Sequence, residues 1–267
     1  MSDSVLEALV QLFAVVASIR GAKDMSERRL VVYNFLVSQL NTELANKYIG
    51  RFDDYYRNNL RLVQRSDNQY KTISRVASKV TRITFEMNKE LSLYQKYIVL
   101  VQLYEYLNTG QISYVEQGLV HDVVADKFNI NREEFETVRD FILDTQSVSE
   151  RVVFSGKSNC QEIFEPKHVY WEDLSGEIDF VYLPVVNIFL FKYFGDQHLN
   201  MNGVELIPGR TNIMRAGNSI RNDISSPIFY YDMMRHVITN GGHVPINIEA
   251  RNVVYRFNKD LVGIHSL

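Results

Sequence analysis

Cysteine is nearly absent from the 267 residues, where Cys160 stands alone. One thiol cannot close an intramolecular disulfide, and a cysteine-based zinc cluster is excluded, which fits a reducing compartment. Proline is missing altogether from residues 1–148, and glycine there is confined to Gly21, Gly50, Gly110 and Gly118. Long apolar runs are lacking too: no stretch approaches the roughly 18 apolar residues of a membrane-spanning helix. No basic segment precedes the first apolar stretch at Met1-Ser2-Asp3-Ser4, so no secretory leader is expected. Nor does one sign of charge prevail, because 29 Lys and Arg against 32 Asp and Glu give a net charge of −3. A general attraction to nucleic acid is therefore not expected, and a cytoplasmic protein is.

Proline inside a helix costs about 3 kcal/mol, so its absence over so long a stretch predicts continuous helices. All five prolines, Pro166, Pro184, Pro208, Pro227 and Pro245, come later. The apolar spacing agrees. Leu6, Leu9, Val10, Phe13, Val16 and Ala17 recur every three or four residues, with Asp3 or Ser4 available as N-cap. A second helix is expected from Ser26 through Leu30, Val31, Phe35 and Leu36. A third stripe runs through Tyr97, Leu100, Val101, Tyr104 and Leu107, and Val120, Val123 and Val124 continue it. Asn131 is placed to cap a last helix bearing Phe135, Val138 and Ile142. Residues 42–88 are more polar but hold no breaker except Gly50. The pattern predicts an all-α bundle of six or seven helices over residues 1–148.

After about residue 149 the composition turns toward β-branched and aromatic residues. Strands are expected at Arg151–Phe154, Glu177–Leu183 and Asn187–Phe194. Asn202-Gly203, between two apolar stretches, is the signature of a two-residue type I′ hairpin, and Pro208-Gly209 supplies the next turn before Thr211–Arg215. The class predicted is α+β: helices first, then a small antiparallel β sandwich or partial barrel over residues 149–243, then a β segment over 244–267.

Two turns echo each other. Gly21 is followed six residues later by Glu27, and Gly110 six residues later by Glu116, with Ser26 and Ser113 near the start of the next helix. Capping alone accounts for this pattern: glycine ends a helix, serine begins one, and glutamate complements its positive end. The same arrangement, clearest over 106–116 and 128–135, resembles the tellurite-resistance TerB-like helical domain. That family typically carries aspartate before each glycine and is regarded as metal-binding. Arg20 and Thr109 stand there instead, so Glu27 and Glu116 remain isolated carboxylates and no metal is expected.

Ile207-Pro-Gly-Arg210 and Ala216–Ile224 resemble a forkhead-associated domain. This resemblance implies a phosphopeptide contacted by Arg215, Ser219 and Arg221, although Tyr230–His236 stands where a Ser-Arg-x-His element is expected. Ile246–Phe257 and Leu261–Leu267 resemble the opening strands of an ATP-binding cassette. That resemblance implies adenine stacking on Tyr255 in a longer protein that would bind ATP and Mg, with the phosphate loop following Leu267. It also implies membrane association through a transporter.

Other motifs fall short. Ser155-Gly-Lys-Ser158 lacks the earlier glycine of a phosphate loop, Arg151 occupying its place. The six histidines show no paired-ligand spacing, and His121-Asp122 with Asp126 reads as a surface histidine beside acids. Cys160 has no base near it in sequence, His168 being the nearest histidine. The strongest charged feature is a basic stripe: Arg57, Arg61 and Arg65 on one helical face, then Arg75, Lys79 and Arg82. With Tyr55, Tyr56 and Tyr70 interleaved, the stripe suits an acidic protein partner, an anionic lipid surface or, less well given the acidic total, nucleic acid.

The expected function is therefore a non-catalytic regulatory or interaction region of a larger ABC-transporter-type ATPase, docking a protein partner, phosphopeptide or ligand. Two alternatives stay open: a metal-dependent enzyme or sensor using Glu27, Glu116 or the His121/Asp122 group, and a stand-alone nucleic-acid or stress-response binder.

Overall fold

The computed structural model describes residues 3–19, 25–64, 69–108, 118–143, 154–157, 168–171, 174–222, 226–239, 255–256 and 262–264. Helices come first: α1 (Asp3–Ser18), α2 (Met25–Gln39), α3 (Thr42–Gln64), α4 (Gln69–Glu90) and α5 (Leu93–Leu107). A π-helical segment, α6 (Leu119–Ala125), runs into the short α7 (Asp126–Phe128), and α8 (Arg132–Leu143) follows. The strands are β1 (Phe154–Lys157), β2 (His168–Tyr170), β3 (Glu177–Leu183), β4 (Ile188–Phe194), β5 (Asn200–Met201) and β6 (Val204–Glu205). Beyond them lie β7 (Asn212–Met214), β8 (Ser219–Arg221), β9 (Ile228–Phe229), helix α9 (Tyr230–Thr239), β10 (Tyr255–Arg256) and β11 (Val262–Ile264). Helices precede antiparallel sheets, an α+β arrangement. No helix among the described residues is long and apolar enough to cross a membrane.

The chain falls into two compact units, residues 1–230 and 231–267. Within the first, α1 and α5 are the central helices, each buried on nearly every side. Their sequences explain it: every position from Val99 to Leu107 except Gln102 is buried, so this helix has no solvent face to supply. Ser92 and Gln95 form a reciprocal capping box that starts α5. α3 is amphipathic, with Ala45, Tyr48, Ile49, Phe52 and Tyr56 facing inward. In α2 the inward positions are Val32, Phe35 and Leu36, while Leu30, expected on the core face, is 56% exposed. Asn131 caps α8 as expected, its Oδ1 accepting from the Glu133 and Glu134 amides.

The principal sheet has the order β2-β1-β3-β4-β7, with β1 and β2 parallel and the other pairs antiparallel. A second, four-stranded sheet has the order β6-β5-β8-β9. Asn202 and Gly203 take φ of 54° and 82° in the β5–β6 hairpin, as the type I′ reading requires. None of the described sheets closes into a barrel. Among the described residues the first has β2 and β7 at its edges, so the partial barrel expected from strand spacing is not what forms there.

The β3–β4 register sorts side chains by chemistry. Val181 pairs with Leu190 and Leu183 with Ile188, and all four join the core of the helical bundle. The alternate pairs, Phe180 with Phe191 and Tyr182 with Phe189, carry aromatic rings on the opposite face. The sheet therefore completes the helical core with its aliphatic side.

Three buried polar side chains fix that docking. Glu134 in the first turn of α8 accepts from the Tyr97 hydroxyl and, at 2.8 Å, from the Val185 amide in the β3–β4 turn. Glu105 of α5 accepts from the Thr211 amide at 3.1 Å. Lys192 of β4, only 4% exposed, donates to the Ile142 carbonyl at 3.0 Å, placing a cation at the negative C-terminal end of α8. Residues 144–153, around the expected domain boundary, lie outside the described residues, and the helical and strand-bearing stretches on either side share one core.

Replacing Glu134 by alanine strands the buried Tyr97 hydroxyl, at about 1–3 kcal/mol when unsatisfied, and takes the acceptor from the part-buried Val185 amide, so Glu134→Ala is expected to lower stability by roughly 1–3 kcal/mol in urea titration. Unfolding at the wild-type midpoint would show that the contact contributes nothing. Burial, joined at Tyr97 by Glu134, also raises the hydroxyl pKa of Tyr97 and Tyr104 far above the ordinary tyrosine value. A raised pKa gives stability that is complete below pH 10 and falls as pH climbs from there, by about 1.4 kcal/mol per unit for each tyrosine. Stability measured from pH 9 to 11 should therefore decline, and Tyr97→Phe should flatten the decline.

Candidate functional site

The basic stripe divides once its surroundings are in view. On α3, Arg51, Arg57 and Arg61 are exposed and share one side of the helix with Tyr55 and Asn58, bordering an open hollow of about 430 Å³. Helical geometry places these residues there, because positions 51, 54, 55, 58 and 61 fall three or four apart along one face. Arg57 is partly neutralised by Asp54, whose Oδ1 lies 2.7 Å from its Nη2. Arg51 and Arg61 have no carboxylate partner among the described residues, so two full positive charges remain on this face. Tyr55 is committed inward: its hydroxyl donates to Glu7 Oε1 at 2.6 Å, and that bond, with burial, raises its pKa. The tyrosine thereby ties α3 to α1, its hydroxyl spent on the fold. Arg65 lies outside the described residues.

The α4 members behave differently. Arg75 and Arg82 are exposed, whereas Lys79 is half-buried and donates to Asn59 Oδ1 at 2.7 Å. Burial and the neighbouring Arg82 both lower the Lys79 pKa. Lys79 holds α4 to α3 and is spent on the fold, unlike its neighbours.

The expected phosphopeptide trio also separates. Ser219 is buried at 6% exposure, and its Oγ accepts from Arg221 Nε at 3.0 Å. Arg215 lies at a tight turn closed by Asn218, whose Oδ1 accepts from the Arg215 amide and whose own amide donates to the Arg215 carbonyl. Gly217 supplies a φ of 89° there. The turn lays the Arg215 guanidinium against α5, 5.5 Å from the Tyr94 ring centre. Sequence spacing alone did not single out Tyr94. Its helix reads as core, and only the packing of the β7–β8 turn brings the arginine to it.

Tyr255 opens β10, which pairs with β11 in an antiparallel two-stranded sheet, Tyr255 opposite Ile264 and Arg256 opposite Val262. The Tyr255 side chain lies outside the described set, as do those of His121 and Asp122 and the whole of Glu116 and Cys160. Glu27 sits in the first turn of α2, the position that capping predicts for it. Among the described residues no group of three or more His, Cys, Asp or Glu is arranged to hold a metal ion. Ser155-Gly-Lys157 lies within β1 rather than in a loop entering a helix.

No protein-family model, no curated protein and no solved structure matches the chain.

Lys79→Ala should cost about 1–2 kcal/mol by removing the charged donor from buried Asn59, whereas Arg82→Ala should stay within about 0.5 kcal/mol of wild type. Equal urea midpoints for the two variants would return Lys79 to the docking face.

Proposed function

We propose that this chain is a non-catalytic regulatory or interaction region of a larger ABC-transporter-type ATPase, and that its work is to dock a partner. The observation that carries the docking half is the α3 face, where Arg51 and Arg61 keep uncompensated charge beside an open hollow. Exposed arginine forks at helical spacing suit carboxylate or phosphate groups on a partner surface, and such charges chiefly accelerate and orient encounter. The other half rests on the resemblance of residues 246–267 to the opening strands of an ATP-binding cassette, which the antiparallel pairing of β10 with β11 accommodates. In that reading the helical part is TerB-like and the strand-bearing part is a forkhead-associated-like sandwich. Arg57 and Arg61 of α3, with Arg65 next in the sequence pattern and Arg75 and Arg82 of α4, form the docking stripe, and Tyr255 stacks on adenine once ATP and Mg are bound by the complete cassette.

The encoding reading frame tests the cassette half directly. A Gly-x4-Gly-Lys-Ser/Thr loop is expected within a few dozen codons after Leu267, and a stop codon there would end that reading. For the docking half, Arg51→Glu with Arg61→Glu should change the steady-state ATP hydrolysis of the full-length protein or its response to ionic strength without altering the circular dichroism spectrum. Hydrolysis with unchanged rate and salt response would remove the α3 face from the account.

A further inference from the structure

Arg215 and Tyr94 stand at the meeting point of two hollows. One, of about 280 Å³, is walled by Leu6, Leu40, Ile98 and Val99, at the seam between α1, the end of α2 and the first turns of α5. The other, wider and about 490 Å³, is walled by Val186, Ile188 and the turn at 216–218. Arg215 and Tyr94 border both, so the two hollows adjoin at this pair, one on the bundle side of the seam and one on the sheet side, and are together called a groove.

The charge of this groove is one-sided. Arg215 is the only charged side chain lining either hollow, and no carboxylate lines them among the described residues. The N-terminal end of α5, capped by Ser92, adds its positive pole at the same place. The neighbouring Glu90 does not line the groove, and its carboxylate receives the Ser4 hydroxyl at 2.9 Å. The remaining polar lining is rich in donors. The Asn187 and Asn218 carbonyl oxygens are already occupied, by the Tyr182 hydroxyl and the Arg215 amide, which leaves their NH₂ groups for a ligand. A positive, donor-rich centre between two aliphatic walls is complementary to an anion flanked by apolar groups on both sides.

We infer that this groove binds an extended peptide segment of a partner protein, with an aspartate or glutamate carboxylate on Arg215 and aliphatic side chains in the two hollows. This inference rests on the docking reading above but on a different surface, and it differs from phosphopeptide capture in using neither Ser219 nor Arg221. Placement argues for a peptide: partly exposed apolar side chains lie on both sides of the cation, Leu40 and Ile98 in one hollow and Val186 in the other, and a lone anion on Arg215 would reach neither. The Tyr94 ring beneath the guanidinium holds the arginine in place and limits the side-chain freedom lost on binding.

The test is to pan a displayed library of random nonapeptides on the purified 267-residue chain, in wild-type form and as Arg215→Ala and Arg215→Glu. Wild type should enrich sequences with Asp or Glu between Leu, Ile or Val. Synthetic versions of the enriched peptides should bind Arg215→Ala at least about tenfold more weakly, the loss expected for one charge-assisted contact. Arg215→Glu should abolish the acidic preference, and Tyr94→Ala, checked for folding by circular dichroism, should weaken binding as well. No enrichment, enrichment without acidic residues, or equal binding by Arg215→Ala overturns the proposal. Replacing the peptide acid by phosphoserine separates the anions, and about tenfold tighter binding of the phosphopeptide would overturn carboxylate recognition in favour of phosphate. Competition by phosphatidylserine vesicles would overturn the peptide in favour of a lipid surface. The α3 variants serve as control: lost peptide binding in Arg51→Glu/Arg61→Glu would place the site there instead, while peptide binding that survives with unchanged ATP hydrolysis would fail the α3 reading alone.

Discussion

A buried carboxylate holds this structure together. Glu134 enters the first turn of α8 behind the Asn131 cap, reaches the Tyr97 hydroxyl on α5, and accepts the Val185 amide from the β3–β4 turn. Three segments distant in sequence thus meet on one side chain that is 6% exposed. A carboxylate taken out of water is costly unless its lone pairs are filled, and here the hydroxyl, the amide and the positive end of α8 share that task. Glu105 and Lys192 repeat the device from the neighbouring helix and strand. Since removing any one partner leaves a buried group unsatisfied, the contacts specify a single seating of the sheet on the helices.

That seating positions both candidate surfaces. It brings the β7–β8 turn over the start of α5, and so lays Arg215 on Tyr94. The α3 face depends on the helices alone: Tyr55 to Glu7 and Lys79 to Asn59 anchor α3 on two sides and leave Arg51 and Arg61 outward. The two surfaces are both positive on a chain whose formal charge is −3, so the cationic character is local and does not follow from the total. Local fields of this kind favour anionic partners at short range and weaken with salt.

Much of the architecture is legible in the sequence because it follows from local rules. The proline-free half is helical, Asn131 caps its helix, β3 spans the expected Glu177–Leu183, and Asn202-Gly203 turns its hairpin. Each is settled within a few residues by propensity, capping or turn geometry. What sequence pattern misses is set by tertiary packing. Arg28 is 1% exposed on the inward face of α2 beside Val32, Phe35 and Leu36, its guanidinium 5.0 Å from the Tyr106 ring, a place that its residue type does not announce. Lys79 reads as one more cation in a stripe until burial beside Asn59 gives it a partner. Ser219 has the residue type a phosphate loop wants, yet its strand turns it inward. The Arg215–Tyr94 groove draws on five separate segments, so spacing along the chain has no access to it.

If the sheet completes the helical core, the two parts must unfold together. Trp171, the only tryptophan, is 6% exposed in the strand-bearing part and donates its indole N–H to the Ser226 carbonyl, so its fluorescence reports on that part. Helical circular dichroism reports chiefly on α1–α8. Followed through the same urea titration, the two signals should trace one coincident transition with the same midpoint and slope. Two separated transitions, with tryptophan fluorescence changing while helicity persists, would contradict a shared core and return the bundle and the sheet to independent domains.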